Sequence, residues 1–154
     1  MTVRIIPSLV ILAEDEYDLA ERYERELHDA GFNVYTIDNG EELYFSARVY
    51  LDLTSHLRGL NIIVSDTKLN KIDGNAACEE IMRLNGEERF GNEPNKVLIV
   101  GMSTLRDNDK KWVGLAHDFF WKGGRNNLGT KVKLLYEQFK LNPNMPRYKV
   151  FPEH

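Results

Sequence analysis

Five short apolar runs, each closed by polar residues, alternate along this chain with segments of helical period. Residues 9–13 form a continuous apolar run that stops at Glu14, Asp15 and Glu16, the pattern of a strand buried on both faces. Residues 32–37 read as a second strand, residues 60–65 as a third closed by Asp66, and residues 97–102 as a fourth closed by Ser103 and Thr104. Residues 119–121 form a brief fifth, closed by Lys122. Between the first two runs, Leu19, Tyr23, Leu27 and Ala30 recur at steps of three and four over residues 16–30, an amphipathic helix with Gly31 at its C-terminal cap. Helical spacing also covers residues 41–57, 75–84 and 128–141, and a short, polar, weakly periodic helix covers residues 106–116. Strand and helix repeated five times predict an α/β fold: a doubly wound, five-stranded parallel sheet with helices on both faces.

The chain has 154 residues, which suits one domain. We expect that domain over residues 1–141, followed by an irregular tail at 142–154, where Pro143, Pro146 and Pro152 break regularity. A net charge of −4 argues against a nucleic-acid binder driven by phosphate attraction. Cys78 is the single cysteine, so neither an internal disulfide nor a cysteine-rich zinc site is available, and a reducing, cytoplasmic setting is expected. No apolar run reaches the roughly 18 residues of a membrane span.

In open parallel sheets, ligands bind at the carboxyl ends of the strands. There this sequence delivers Glu14, Asp15, Asp66, Ser103, Thr104 and Lys122. Taken singly, each has an ordinary explanation: an acid opening a helix, a turn former, an N-cap, a solvated lysine. Together, three convergent carboxylates repel one another unless a cation sits among them, and a hard ion such as Mg²⁺ answers that need. A carboxylate beside Mg²⁺ can attack phosphorus, with an ammonium and a hydroxyl holding the other phosphoryl oxygens.

The segments VILAEDE, GFNVYTIDNGEE, NIIVSDTKLNKIDG, LIVGMST and LAHDFFWKG resemble those of the receiver domain of two-component response regulators, the flavodoxin-like chemotaxis-regulator type. The resemblance runs from Val10 to Lys122, and the helix to Leu141 completes it. It implies that Asp66 is the phosphoacceptor, Asp15 a direct Mg²⁺ ligand and Glu14 the second acid. Lys68 would lend a backbone carbonyl to the metal, Lys122 would pair with the phosphoryl group, and Thr104 is the small residue beside Ser103. Ser103 and Phe119 would form the switch, the hydroxyl moving inward on phosphorylation and the ring becoming buried. Gly101 competes with Ser103 for the strand-four position, and Ser103 is preferred because glycine cannot bond a phosphoryl oxygen. The implied partners are a sensor histidine kinase or histidine phosphotransfer protein and a downstream protein, with no nucleic acid and no membrane. The implied chemistry is self-catalysed phosphotransfer and autodephosphorylation, not turnover of an external substrate.

Several features depart from that pattern. Gly123 stands where proline is usual, making a cis peptide there unexpected, and Leu69-Asn70 would loosen the loop after Asp66. The second helix is long, residues 85–95 look like an inserted loop, and the stretch from Ser103 to Lys122 is short. These departures motivate an alternative, a pseudo-receiver interaction module without phosphorylation switching. A phosphohydrolase of haloacid-dehalogenase type would need an acid where Lys68 stands. Too few residues follow Leu141 for an output domain. His28, His56, His117 and His154 have no metal-ligand spacing and read as surface positions, and Cys78 reads as core. Alternation in the fifth strand would bury Phe120 and leave Phe119 and Trp121 partly exposed.

Overall fold

A strand that is apolar on both sides needs a layer above it and a layer below it. The computed structural model, which describes residues 8–54, 60–85 and 97–150, supplies both. Five parallel strands, β1 (Leu9–Ala13), β2 (Asn33–Ile37), β3 (Leu60–Asp66), β4 (Leu98–Ser103) and β5 (Asp118–Trp121), lie in the order β2-β1-β3-β4-β5. They are connected through α1 (Tyr17–Asp29), α2 (Gly40–Thr54), α3 (Gly74–Asn85) and a 3-10 helix (Arg106–Trp112), and α4 (Leu128–Leu141) follows β5. None of the helices among the described residues is long and apolar enough to cross a membrane.

Alternation along the strands divides the core in two. Val10, Leu12, Ile62, Val64, Leu98, Val100, Met102 and Phe120 pack against Tyr23 and Leu27 of α1 and Leu128, Val132 and Phe139 of α4. Ile11, Ala13, Ile63, Ile99 and Phe119 face the other way, onto Leu43 and Ala47 of α2, Ala77, Cys78 and Ile81 of α3, and Trp112. Burying a Val, Leu, Ile or Phe side chain is worth about 1.5–3 kcal/mol, so each layer is held chiefly by its apolar stripe. The doubly wound architecture follows the alternation of periods in the sequence.

The segment between β4 and β5 differs from its expectation. It forms a 3-10 helix only as far as Trp112, and then a turn in which Ala116 N–H donates to Trp112 O at 3.0 Å. The reason is that one large side chain anchors it. Trp112 is fully buried, and its indole lies directly on Gly101 of β4. A Cβ at Gly101 would sit 2.2 Å from the indole ring, so this contact requires glycine.

Three further expectations are corrected. His117 is not a surface residue: it is 5% exposed, its Nδ1 accepts from Ile99 N–H at 3.0 Å, and its ring packs edge-on against Phe139. Phe119 is buried along with Phe120, because the sheet is covered on both faces even at its β5 edge. The loop after Asp66 is pinned, not loosened. Leu69 is buried, Asn70 bridges to Asn39, and Gly74 N–H donates to Thr67 O at 2.8 Å.

His28 is exposed on α1 and Cys78 is buried on α3. His56, His154, the far end of the expected second helix and nearly all of the expected inserted loop lie outside the described residues. Irregular chain from 142 to 150 returns to the domain. Tyr148 is buried, its N–H donating to Ala116 O at 2.7 Å and its hydroxyl to Asp109 Oδ2 at 2.7 Å.

Gly101→Ala is expected to lower stability by about 1–3 kcal/mol in urea denaturation, as overpacking a filled core does. Gly124→Ala is the control, since its Cβ would make only an ordinary contact at 3.5 Å. Equal midpoints for the two variants would contradict the Trp112–Gly101 packing.

Candidate functional site

Parallel strands end on one edge of the sheet, so the residues that close them gather there. Glu14, Asp66 and Lys122 stand two positions beyond Leu12, Val64 and Phe120, on the α1–α4 side. Lys122 Nζ contacts Glu14 Oε1 and lies 3.1 Å from Asp66 Oδ1. All three side chains are nearly enclosed, at 4% exposure for Lys122, 0% for Glu14 and 12% for Asp66. Asp15 is exposed beside them, and one carboxylate oxygen from each of Glu14, Asp15 and Asp66 lies within 4.8 Å of the others.

The backbone fixes each member. Glu14 N–H donates to Ile37 O at 3.0 Å, joining the end of β1 to β2. Asp66 Oδ1 accepts from Thr67 N–H at 3.0 Å. The start of α3 presses on the main chain of Asp66, where a Cβ on Gly74 would lie 1.9 Å from Asp66 O. Lys122 N–H donates to Ser103 O at 2.9 Å, tying the end of β5 to β4.

Searches of protein-family models and of curated proteins found no match for this sequence. Solved structures do match. A receiver domain from Methanospirillum hungatei superposes with a TM-score of 0.68 at 14% identity, covering 88% of this chain and 98% of its own. The receiver domain of a Francisella response regulator gives 0.64 at 18% identity, covering 85% and 98%. The receiver domain of a sensor histidine kinase from Pseudomonas aeruginosa gives 0.62 at 17% identity, covering 86% and 97%, and is described with a magnesium ion coordinated in its active-site cleft. The chain has the receiver fold.

Within that fold the acidic cluster has a defined electrostatic character. Burial pushes the Glu14 carboxyl up to about 7, against the lowering effect of the Lys122 ammonium. Burial likewise raises Asp66, again opposed chiefly by Lys122. Two enclosed acids therefore share one cation, and a second cation of hard character fits the oxygen-only donor set formed with Asp15.

The other sequence-derived residues lie as follows. Lys68 is exposed, its ammonium 3.8 Å from Asp73 Oδ2. Ser103 is buried, and its Oγ accepts from Leu105 N–H at 3.0 Å and Asn108 Nδ2 at 2.9 Å. Its own hydroxyl hydrogen is left to donate. Thr104 is exposed, and its carbonyl accepts from Trp121 Nε1 at 3.1 Å. Phe119 is already buried, its ring 6.2 Å from that of Tyr148, so a gain in burial is not open to it from this conformation. In the sheet register Phe119 pairs with Gly101, whereas Ser103 pairs with Trp121. The peptide after Lys122 is trans, as are all peptide bonds among the described residues.

Sequence reasoning passed over Thr67 and Trp112. Thr67 is fully buried, and its Oγ1 donates to Met102 O at 2.7 Å and accepts from Trp112 Nε1 at 2.8 Å. The available signal was a lone tryptophan in a polar segment, matched by a glycine inside an apolar strand.

The raised Glu14 carboxyl predicts a pH dependence. Between its ordinary value of 4.5 and about 7, the folded state holds the proton more tightly than the unfolded chain. The stabilisation is therefore complete below the lower value and is lost as pH rises through the upper one. In chelator, the stability of the natural protein should fall relative to that of Glu14→Gln across this window. His117, lowered by burial to about 4, contributes with opposite sign in both proteins and cancels in the comparison. A stability difference independent of pH would contradict the assignment.

Proposed function

We propose that this chain is a phosphoacceptor receiver of two-component signalling. The observation that carries this reading is the enclosed set of Glu14, Asp66 and Lys122, with Asp15 beside it, at the strand ends of a receiver fold. Asp66 takes the phosphoryl group from a phosphohistidine of a sensor histidine kinase or histidine phosphotransfer protein. A carboxylate oxygen bonds to phosphorus as the N–P bond breaks, and the bonding electron pair stays on the imidazole nitrogen. The Lys122 ammonium and the Ser103 hydroxyl serve the phosphoryl oxygens, where negative charge is concentrated.

Mg²⁺ would be held by the carboxylates of Glu14, Asp15 and Asp66 and the backbone carbonyl of Lys68. It supplies neutralisation of the charge shared by acceptor and phosphoryl oxygens. Breaking the Glu14–Lys122 contact frees Lys122 to turn toward the phosphoryl group. The unit is the domain through Leu141, with residues 142–154 as its tail. It acts from the cytoplasm through protein contacts, and its only chemistry is its own phosphorylation and dephosphorylation.

Acetyl phosphate with Mg²⁺ should add one phosphoryl group to the natural protein, read by intact mass. Asp66→Asn should add none, and Lys122→Met should slow labelling by roughly 10²-fold, as loss of a charge-stabilising donor does. An unlabelled natural protein, or equal labelling of Asp66→Asn, would overturn the reading and favour an interaction module that keeps the fold without the chemistry.

A further inference from the structure

A carboxylate that changes state at Asp66 needs a mechanical route to the surface. The route through Ser103 and Phe119 is compromised here. The strand-four residue paired with Phe119 is Gly101, which has no side chain, and Phe119 is already buried. Above Gly101 the space is taken by the Trp112 indole. That indole is not inert packing. Its Nε1 donates to Thr67 Oγ1 at 2.8 Å, and the N–H of the same threonine donates to Asp66 Oδ1 at 3.0 Å. Thr67 is further tied to β4, since its N–H and its hydroxyl both donate to Met102 O, at 2.9 and 2.7 Å. One buried threonine thus touches both the acceptor carboxylate and the tryptophan.

From Trp112 the connections continue outward. Trp112 O accepts from Ala116 N–H at 3.0 Å, and Ala116 O accepts from Tyr148 N–H at 2.7 Å. Gly114 N–H donates to Tyr148 O at 3.0 Å, and the Tyr148 hydroxyl donates to Asp109, within the same 3-10 helix as Trp112. The Tyr148 ring also lies against Phe119. Residues 106–116 therefore form one bonded piece, held by Thr67 on the inside and by Tyr148 on the outside.

We propose that Trp112, acting through Thr67, is the positioning residue that couples the state of Asp66 to the docking of the Tyr148 segment. The inference rests on Asp66 being the phosphoacceptor. Formation of the acyl phosphate moves the negative charge from the carboxyl oxygens to the phosphoryl oxygens and weakens the carboxyl group as an acceptor for Thr67 N–H, so Thr67 and the indole bonded to it resettle together. The 3-10 helix moves with the indole, and the grip on Tyr148 loosens.

The test is hydrogen exchange at the Gly114 and Tyr148 amides, with and without Mg²⁺ and beryllofluoride, an analogue of the phosphoryl group. In the natural protein, beryllofluoride should raise exchange at both amides at least tenfold. In Trp112→Phe, which keeps a ring but loses the N–H donor, the adduct should form and the exchange response should be lost. Thr67→Val breaks the same link from the other side while Trp112 stays in place, and should lose the response too. Tyr148→Phe should show raised exchange before any ligand is added. An adduct in the natural protein without an exchange response, or a full response in both Trp112→Phe and Thr67→Val, would overturn the coupling and leave the phosphoacceptor reading intact. No Mg²⁺-dependent adduct at all would overturn both.

Discussion

The ammonium of Lys122 between the carboxylates of Glu14 and Asp66 is the interaction on which the strand-end geometry depends. Two acids this enclosed would ordinarily give up a charge or leave the interior. Here one cation, delivered by a different strand, holds both in place. The contact also fixes the relative positions of β1, β3 and β5, which are not all neighbours in the sheet. It is nonetheless an incomplete solution, since Glu14 and Asp66 both remain raised by burial. A site left short of positive charge is suited to take up a further cation.

The rest of the structure keeps that triad from relaxing. β1, β3 and β4 are covered on both faces, so their ends cannot splay. Gly74 lets α3 come against Asp66, and Gly101 lets Trp112 come against β4. Both glycines serve close approach, Gly74 against the main chain of Asp66 and Gly101 beside Ser65 in the sheet register. Such close packing, of α3 on backbone at Gly74 and of an indole on backbone at Gly101, transmits small displacements that a looser arrangement would absorb.

The fold was legible because parallel sheets write themselves in period: apolar runs for buried strands and amphipathic spacing for α1 and α4. Glu14, Asp15, Asp66 and Lys122 were legible for a related reason, since the topology dictates that whatever closes the strands converges. What could not be read were contacts made by residues far apart in sequence with no period to announce them. His117 looks like a polar residue in a polar stretch, yet Ile99 N–H needs an acceptor and finds its ring nitrogen. Tyr148 lies in a stretch broken by prolines, yet its main chain pairs with Gly114 and Ala116. Phe119 defeated simple alternation because its exposed side is covered by that same tail residue.

The indole arriving from position 112 occupies the space above Gly101 and so ties the segment after β4 to the strand itself. A fully buried indole acts through bulk and one directional N–H, so its freedom is limited by the glycine beneath it and the threonine beside it. That makes Thr67 the hinge of the arrangement, because it alone among the described residues bonds to the Asp66 carboxylate, to β4 and to Trp112. A change at Asp66 that Thr67 can absorb stays local. A change it cannot absorb must shift the 3-10 helix as a unit, because Asn108 is tied to Ser103, Trp112 to Thr67 and Asp109 to Tyr148. The connection between β4 and β5 is thus a compact piece bonded to Thr67 after β3, to Ser103 of β4 and to Tyr148 of the tail.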